Sequence, residues 1–258
     1  MISSSSPSAL SLFGPSLLTS YELCHLVLFD RGQVYAMSAL AKSSMLISDL
    51  NGRDKLTKAA QYGSRFLKYY LMSISPVLSG QLELLEKNLS GARKVFRLGK
   101  FLPEMQKANK AWGQIAKKPL ESLIALIGRY SLVLWFLGDH VVWLAKLKVF
   151  PTLVTPHEKY FKQRSWQFRT IGYACCMLLE YFAAVKKAAT KVTTYDEGEE
   201  RKLTVEKHER KILHYVMMCL VGLKNGFLFN SIHDGYTGLF GFVSAMCIVY
   251  DVSNARLK

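Results

Sequence analysis

Residues 81–105 read QLELLEKNLSGARKVFRLGKFLPEM. Leu82, Leu85, Leu89, Ala92, Phe96 and Gly99 recur at alternating steps of three and four, which sets them on one stripe of an α-helix. Glu83, Glu86, Lys87, Ser90, Arg93, Lys94 and Arg97 fall on the opposite face. Leu98 and Phe101 leave the stripe, and Pro103 is expected to end the helix. A narrow apolar stripe opposite an Arg/Lys-rich face suits two settings. In a membrane interface the stripe sinks among acyl chains and the cations meet lipid phosphates; in a soluble bundle the stripe packs on a neighbouring helix.

The charge around this helix narrows the choice. From Arg53 to Lys118 there are 14 Lys+Arg and 4 Asp+Glu, so +10 of the formal +15 lies in that quarter of the chain. Such a block wants an anionic partner. Zinc-finger spacing, an RNA-recognition signature and a basic-region heptad are all missing, so no nucleic acid is expected and an anionic phospholipid membrane is. Just upstream, Arg53–Ser75 predicts another helix. Leu56, Ala59, Gly63, Phe66, Leu67, Tyr70 and Ile74 form its broad apolar face, Lys58, Gln61, Arg65 and Lys68 the other, and Pro76 ends or kinks it. Residues 1–50, rich in Ser with Pro7, Gly14 and Pro15, read as a flexible N-terminal extension to the basic helical region 51–118.

Downstream, residues 119–185 form an apolar helical region, with Pro119 suited to a first helical turn. Leu120–Phe150 is interrupted by Arg129, Asp139, Lys146 and Lys148, and its longest charge-free run, Tyr130–Gly138, is nine residues. A clean span needs about 20, so this segment fits a buried helix, an interfacial helix, or a span whose polar groups face other helices. Thr155–Arg169 mixes basic and aromatic residues, as a membrane boundary or a loop and helix surface does. Residues 186–211 are the most polar and read as an exposed loop. Residues 212–258 read as C-terminal membrane helices. Within them Gly235–Tyr250 has 16 residues without charge, about 24 Å as a helix against a ~30 Å hydrocarbon core. Tyr236 and Tyr250 sit at its ends, where aromatic residues anchor spans. Gly235, Gly238 and Gly241 step by three, and Gly222 and Gly226 form a G-x-x-x-G; such glycines let helices approach closely in lipid.

Catalytic signals are thin. The six histidines form no H-E-x-x-H, and there is no nucleophile elbow, P-loop or dinucleotide fingerprint. The five cysteines are odd in number, and the adjacent Cys175–Cys176 lacks metal-ligand spacing, so buried thiols in a reducing compartment or a membrane are expected. Neither enzymatic activity nor a cofactor or metal is expected.

Four stretches, Gly52-Arg-Asp-Lys-Leu56, Gln61-Tyr-Gly-Ser-Arg-Phe-Leu67, Arg93-Lys-Val-Phe-Arg-Leu-Gly-Lys-Phe101 and Asp139-His-Val-Val-Trp-Leu144, resemble the peroxin eleven family of peroxisomal membrane proteins. With the apolar C-terminal segment the resemblance covers about residues 50–255. It implies a peroxisomal membrane protein with both termini in the cytosol, which elongates the membrane before division through an amphipathic helix. It further implies self-association into homo-oligomers and contact with the fission machinery. Residues 1–48 extend beyond the usual start, and the 186–211 segment is poorly matched. The combined expectation is an all-α, membrane-associated protein. Leu82, Leu85, Leu89, Ala92 and Phe96 insert into one leaflet, Lys87, Arg93, Lys94, Arg97 and Lys100 hold lipid phosphates, and Gly222, Gly226, Gly235, Gly238 and Gly241 pack helices. The alternative is a small-solute channel with Arg129, Asp139, Lys146 and Glu180 facing its lumen.

Overall fold

The computed structural model describes residues 50–147, 158–190, 194–229 and 231–255. The chain divides into two units, Met1–Met45 and Leu46–Lys258, and every described residue lies in the second. The expected N-terminal extension up to residue 49 and Cys24 fall outside the described residues. Those described form seven helices and no strand, the all-α class expected. They are α1 Leu50–Leu71, α2 Pro76–Phe96, α3 Phe101–Trp112, α4 Pro119–Lys146, α5 Glu158–Ala188, α6 Tyr195–Gly226 and α7 Asp234–Ala255.

Local chemistry places the helix ends, in three cases against expectation. Pro76 and Pro119 stand in the first turns of α2 and α4, where the missing N–H has no intrahelical partner to lose. The helix expected to run to Pro103 stops at Phe96. Gly99 turns the chain at φ +75°, which a side-chain-bearing residue rarely adopts, and Pro103 then opens α3 instead of closing α2. The loop expected over 186–211 is helical from Tyr195 onward. Thr194 caps it, its Oγ1 accepting the Glu197 N–H at 3.4 Å, and Asp196 and Glu197 lie at the positive end of the helix dipole. The basic-aromatic 158–169 segment and the apolar helix after it are one continuous element, α5.

Six of the helices close a ring. Residue numbers rise on α7 as they fall on α1: Gly235 lies against Tyr69, Gly238 against Phe66, Gly241 against Tyr62, and Ser244 against Lys58. The same antiparallel order joins α1 to α2 (Asp54–Arg93, Arg65–Glu86), α4 to α5 (Gly128–Cys175, Gly138–Ser165), α5 to α6 (Thr170–Gly222, Glu180–His208) and α6 to α7 (His214–Ser244, Arg210–Asp251). Arg97 of α2 reaches Asp139 of α4 and completes the circuit, while α3 runs back along α4 with Glu104 on Arg129. Asn51 and Asp251 border one cavity, so the start of α1 and the end of α7 lie at the same end of the bundle.

The distribution of side chains is that of a membrane protein. Leu120, Leu123, Ile127, Tyr130, Leu134 and Leu137, at steps of three and four, are the exposed stripe of α4. Ile171, Leu178 and Val185 of α5 and Tyr236, Phe242, Met246 and Tyr250 of α7 are exposed as well. Ser122, Ser131, Ser165, Thr170, Thr237 and Ser244 are buried. Apolar surface of this extent has no place in water but fits lipid, where small and weakly polar residues pack helices. By length and composition three helices can cross a membrane: Pro119–Ala145, Glu158–Ala188 and Asp234–Asn254. At about 1.5 Å per residue all three exceed a ~30 Å core.

The α1–α7 seam depends on absent side chains. A Cβ on Gly241 would lie 2.1 Å from Tyr62 Cδ1, and one on Gly238 would lie 2.6 Å from the Phe66 backbone N. Gly241→Leu is expected to lower the thermal midpoint of the detergent-purified protein by the equivalent of at least about 1–3 kcal/mol, the usual cost of overpacking. Gly91→Ala, with nothing within 4 Å of the new methyl, should leave the midpoint unchanged or raise it. Equal melting of the two variants would contradict the seam.

Candidate functional site

The α2 helix, singled out by its amphipathic pattern, sits in the ring with its charged face turned inward. Ser79, Glu86, Arg93, Lys94 and Arg97 are buried, whereas Val77, Leu78, Leu84, Leu85, Val95 and Leu98 are exposed. Of the residues expected to insert, Leu85 and Ala92 face outward and Leu82, Leu89 and Phe96 are half-buried. Of those expected to hold lipid phosphates, Lys87 is exposed and lies 2.6 Å from Glu83. The other four are differently placed from expectation. Arg93 and Lys100 engage Asp54, Arg97 engages Asp139 at 3.0 Å, and Lys94 stands 4.0 Å from that same carboxylate. The physical reason is that α1 and α4 bring carboxylates to this face, and an internal ion pair of good geometry outcompetes exposure to an apolar surround.

Asp54 is the centre of that interior and is 2% exposed. Arg93 Nε donates to its Oδ1 at 3.2 Å and Lys100 Nζ to its Oδ2 at 2.8 Å, while Arg93 Nη1 donates to Gln61 Oε1 at 2.7 Å. Burial by itself pushes the Asp54 carboxyl up; Arg93, Lys55 and Lys100 outweigh it and hold the group well below the usual carboxylate range. One turn along α1, the buried Lys58 donates to Ser244 Oγ of α7 at 2.7 Å, and that hydroxyl lies 2.6 Å from His214 Nδ1 of α6. Burial, then the nearby Arg169 charge, pushes Lys58 well below the ordinary lysine value. Burial followed by the charge of Lys58 does the same to His214.

None of Asp54, Lys58, Gln61, Arg169, His214 or Ser244 was singled out by sequence pattern as a site residue. A signal was present. Asp54, Lys58, Gln61, Arg65 and Lys68 step by four, three, four and three, a charged stripe as regular as the apolar one on α2. Two such stripes on consecutive helices can satisfy each other, which is what α1 and α2 do.

Ionisable groups within the apolar helices are also held by neighbours. Arg129 meets Glu104, Asp139 meets Arg97, and Glu180 meets both His208 and Lys211. These pairings hold Arg129, Asp139 and Glu180 without a solute pathway, and the channel reading is not favoured; the side chain of Lys146 lies outside those described. The five glycines lie in helix seams. Gly222 faces Thr170 and Gly226 the Trp166–Gln167 backbone of α5, and Gly235, Gly238 and Gly241 face α1.

Removing one partner of a buried pair strands the other's charge. Arg93→Ala is therefore expected to destabilise the protein by about 3–5 kcal/mol, or roughly 10 °C in thermal midpoint at this size. A cation serving only external lipid would behave otherwise: its loss would weaken liposome binding and leave the midpoint unchanged.

The profile of Peroxisomal biogenesis factor 11 (PEX11) matches residues 40–253. Peroxisomal membrane protein 11D of Arabidopsis thaliana is 24% identical over 237 residues, 85% of this chain and 94% of that protein. Peroxisomal membrane protein 11E of the same plant is 26% identical over 239 residues, with the same coverage of 85% and 94%. Peroxisomal membrane protein 11-4 of Oryza sativa subsp. indica is 29% identical over 114 residues, 44% of this chain, so the chain matches about half (49%) of that relative's length. No solved structure matches the chain. With the match extending over nearly all of the helical bundle, the chain belongs to the Peroxisomal biogenesis factor 11 family.

Proposed function

We propose that this peroxisomal membrane protein, whose family membership implies a part in peroxisome proliferation, elongates the membrane before division. It does so by displacing lipid with the apolar outer face of α2 and α3 and by self-association. The observation that carries this reading is the orientation of α2. Its charges are satisfied inside the bundle, and Val77, Leu78, Leu84, Leu85, Val95 and Leu98 are presented outward, with Leu102, Met105 and Trp112 of α3 continuing the apolar surface. At 12 residues α3 is less than half as long as the 28-residue α4 beside it. The protein therefore displaces more lipid at one depth than at another, and unequal area in the two leaflets bends a bilayer. The chain acts without catalysis in this reading, and contact with the fission machinery leads to division of the elongated membrane.

Each outward Leu contributes part of the 1.5–3 kcal/mol that full burial is worth. Leu84→Glu with Leu85→Glu is expected to leave the thermal midpoint within about 0.5 kcal/mol equivalent of the parent, because both sites are exposed. The same double variant should lose tubulation of liposomes, seen by electron microscopy. Tubulation equal to the parent's would overturn the assignment.

This reading puts both termini in the cytosol. The start of α1 and the end of α7 share one end of the bundle, which supports a common side. The basic 53–118 block favours the cytosolic side, by extension of the positive-inside rule. Protease added to intact peroxisomes should remove tags from both termini. Protection of either tag until detergent is present would contradict this topology.

A further inference from the structure

Arg169, in the middle of α5, is 4% exposed. Its guanidinium lies 4.6, 4.7 and 5.3 Å from the ring centroids of Trp135, Trp166 and Tyr173. Its Nε has no hydrogen-bond partner, Nη2 lies 3.9 Å from Met218 Sδ, and its remaining polar neighbours are the neutral phenols of Tyr62 and Tyr173. No carboxylate among the described residues forms an ion pair with it, unlike Arg93 and Arg97 close by. The aromatic rings offset part of the cost of such a charge. An ionised group in a low-dielectric interior still calls for a counter-charge.

The guanidinium borders a cavity of about 160 Å³. Arg65, Arg93, Lys94, Arg97 and Lys162 complete its cationic wall, and Asp139 is the lone carboxylate in it. From outside the wall, Glu86 serves Arg65 and Asp54 serves Arg93. Asp139 is shared by Lys94 and Arg97, and Asp54 also serves Lys100. Glu86 also meets Lys68, so among the described residues six wall cations stand against three carboxylates, each of them shared. Lys162 is exposed, so the wall reaches the surface of the bundle.

We propose that this cavity binds a phosphate group, with Arg169 as its innermost ligand. The volume holds a tetrahedral oxyanion with a few waters, at about 30 Å³ for each water. The charge excess matches a phosphomonoester dianion, and guanidinium forks present paired donors to its oxygens. The ligand is a phosphomonoester, either a soluble one or the headgroup of a membrane lipid; both offer the same terminal group to the same wall.

The test uses the full-length chain in phosphate-free detergent. Inorganic phosphate is expected to raise the thermal midpoint in a saturable manner, while chloride at equal ionic strength does not. Arg169→Met removes an unpaired charge, so its phosphate-free midpoint should equal or exceed the parent's. Its phosphate affinity should fall about 10- to 100-fold, the loss expected for charge-assisted hydrogen bonds. Arg164→Gln, at an exposed site outside the cavity wall, should bind like the parent. A second arm compares phosphatidylcholine vesicles with and without phosphatidic acid. Stabilisation by phosphatidic acid alone, lost in Arg169→Met, assigns the site to a lipid headgroup; stabilisation by free phosphate assigns it to a soluble ligand. Absence of a shift in both arms, or equal shifts in parent and Arg169→Met, overturns the proposal. Should R169M not fold, Arg169→Lys decides: several-fold weaker binding is expected, and unchanged affinity overturns it.

Discussion

The pairing of Asp54 with Arg93 joins α1 to α2 in a place water does not reach, and much of the bundle follows from it. A carboxylate that is 2% exposed must find its counter-charge within the protein. It finds Arg93 and Lys100, which fixes the C-terminal end of α2 and the α2–α3 turn over the start of α1. Arg97 then reaches Asp139 and ties the hairpin to α4, and Arg65 with Glu86 closes its other end. In water such stripes would face outward, where hydration satisfies them. Here they face one another, and the apolar stripes are left outside. That inversion is consistent with a surround of lipid.

The second constraint is distance. Helices in lipid gain little from burying apolar surface, because the acyl chains are as apolar as leucine. They gain from close contact and from hydrogen bonds between them. Gly128 and Gly172 bring α4 onto α5, Gly222 and Gly226 bring α6 onto α5, and Gly238 and Gly241 bring α7 onto α1. Lys58, Ser244 and His214 add a hydrogen-bonded chain across α1, α7 and α6 in the space this opens.

The role proposed for α2 in membrane elongation is shaped by both constraints. With Arg93 and Arg97 committed to interior carboxylates, that proposal rests contact with the bilayer on Leu84, Leu85, Val95 and Leu98 rather than on a cationic clamp. The attraction that remains is apolar and weakly dependent on salt. The interior retains more cations than carboxylates around Arg169, and that surplus distinguishes the bundle from one held by balanced pairs.

Sequence alone determined the helical class and the membrane association and pointed to five of the close-packing glycines, because each is a property of local period or composition; Gly128 and Gly172, isolated in apolar sequence, carried no such signal. The spacing of Leu82, Leu85 and Leu89 can only be a helix, and the uncharged 235–250 run suits lipid whatever surrounds it. Two local signals were legible but weaker: Thr194-x-x-Glu197 as a cap that makes 195–211 helical, and Gly99 as a break ahead of Pro103. What tertiary structure decided was direction. Amphipathic spacing shows that α2 has two faces but carries no information on which one meets the protein. That choice depends on Asp54, forty residues earlier, and Asp139, forty later, and on the free energy of placing their charges against arginine inside a bundle rather than alone beside lipid.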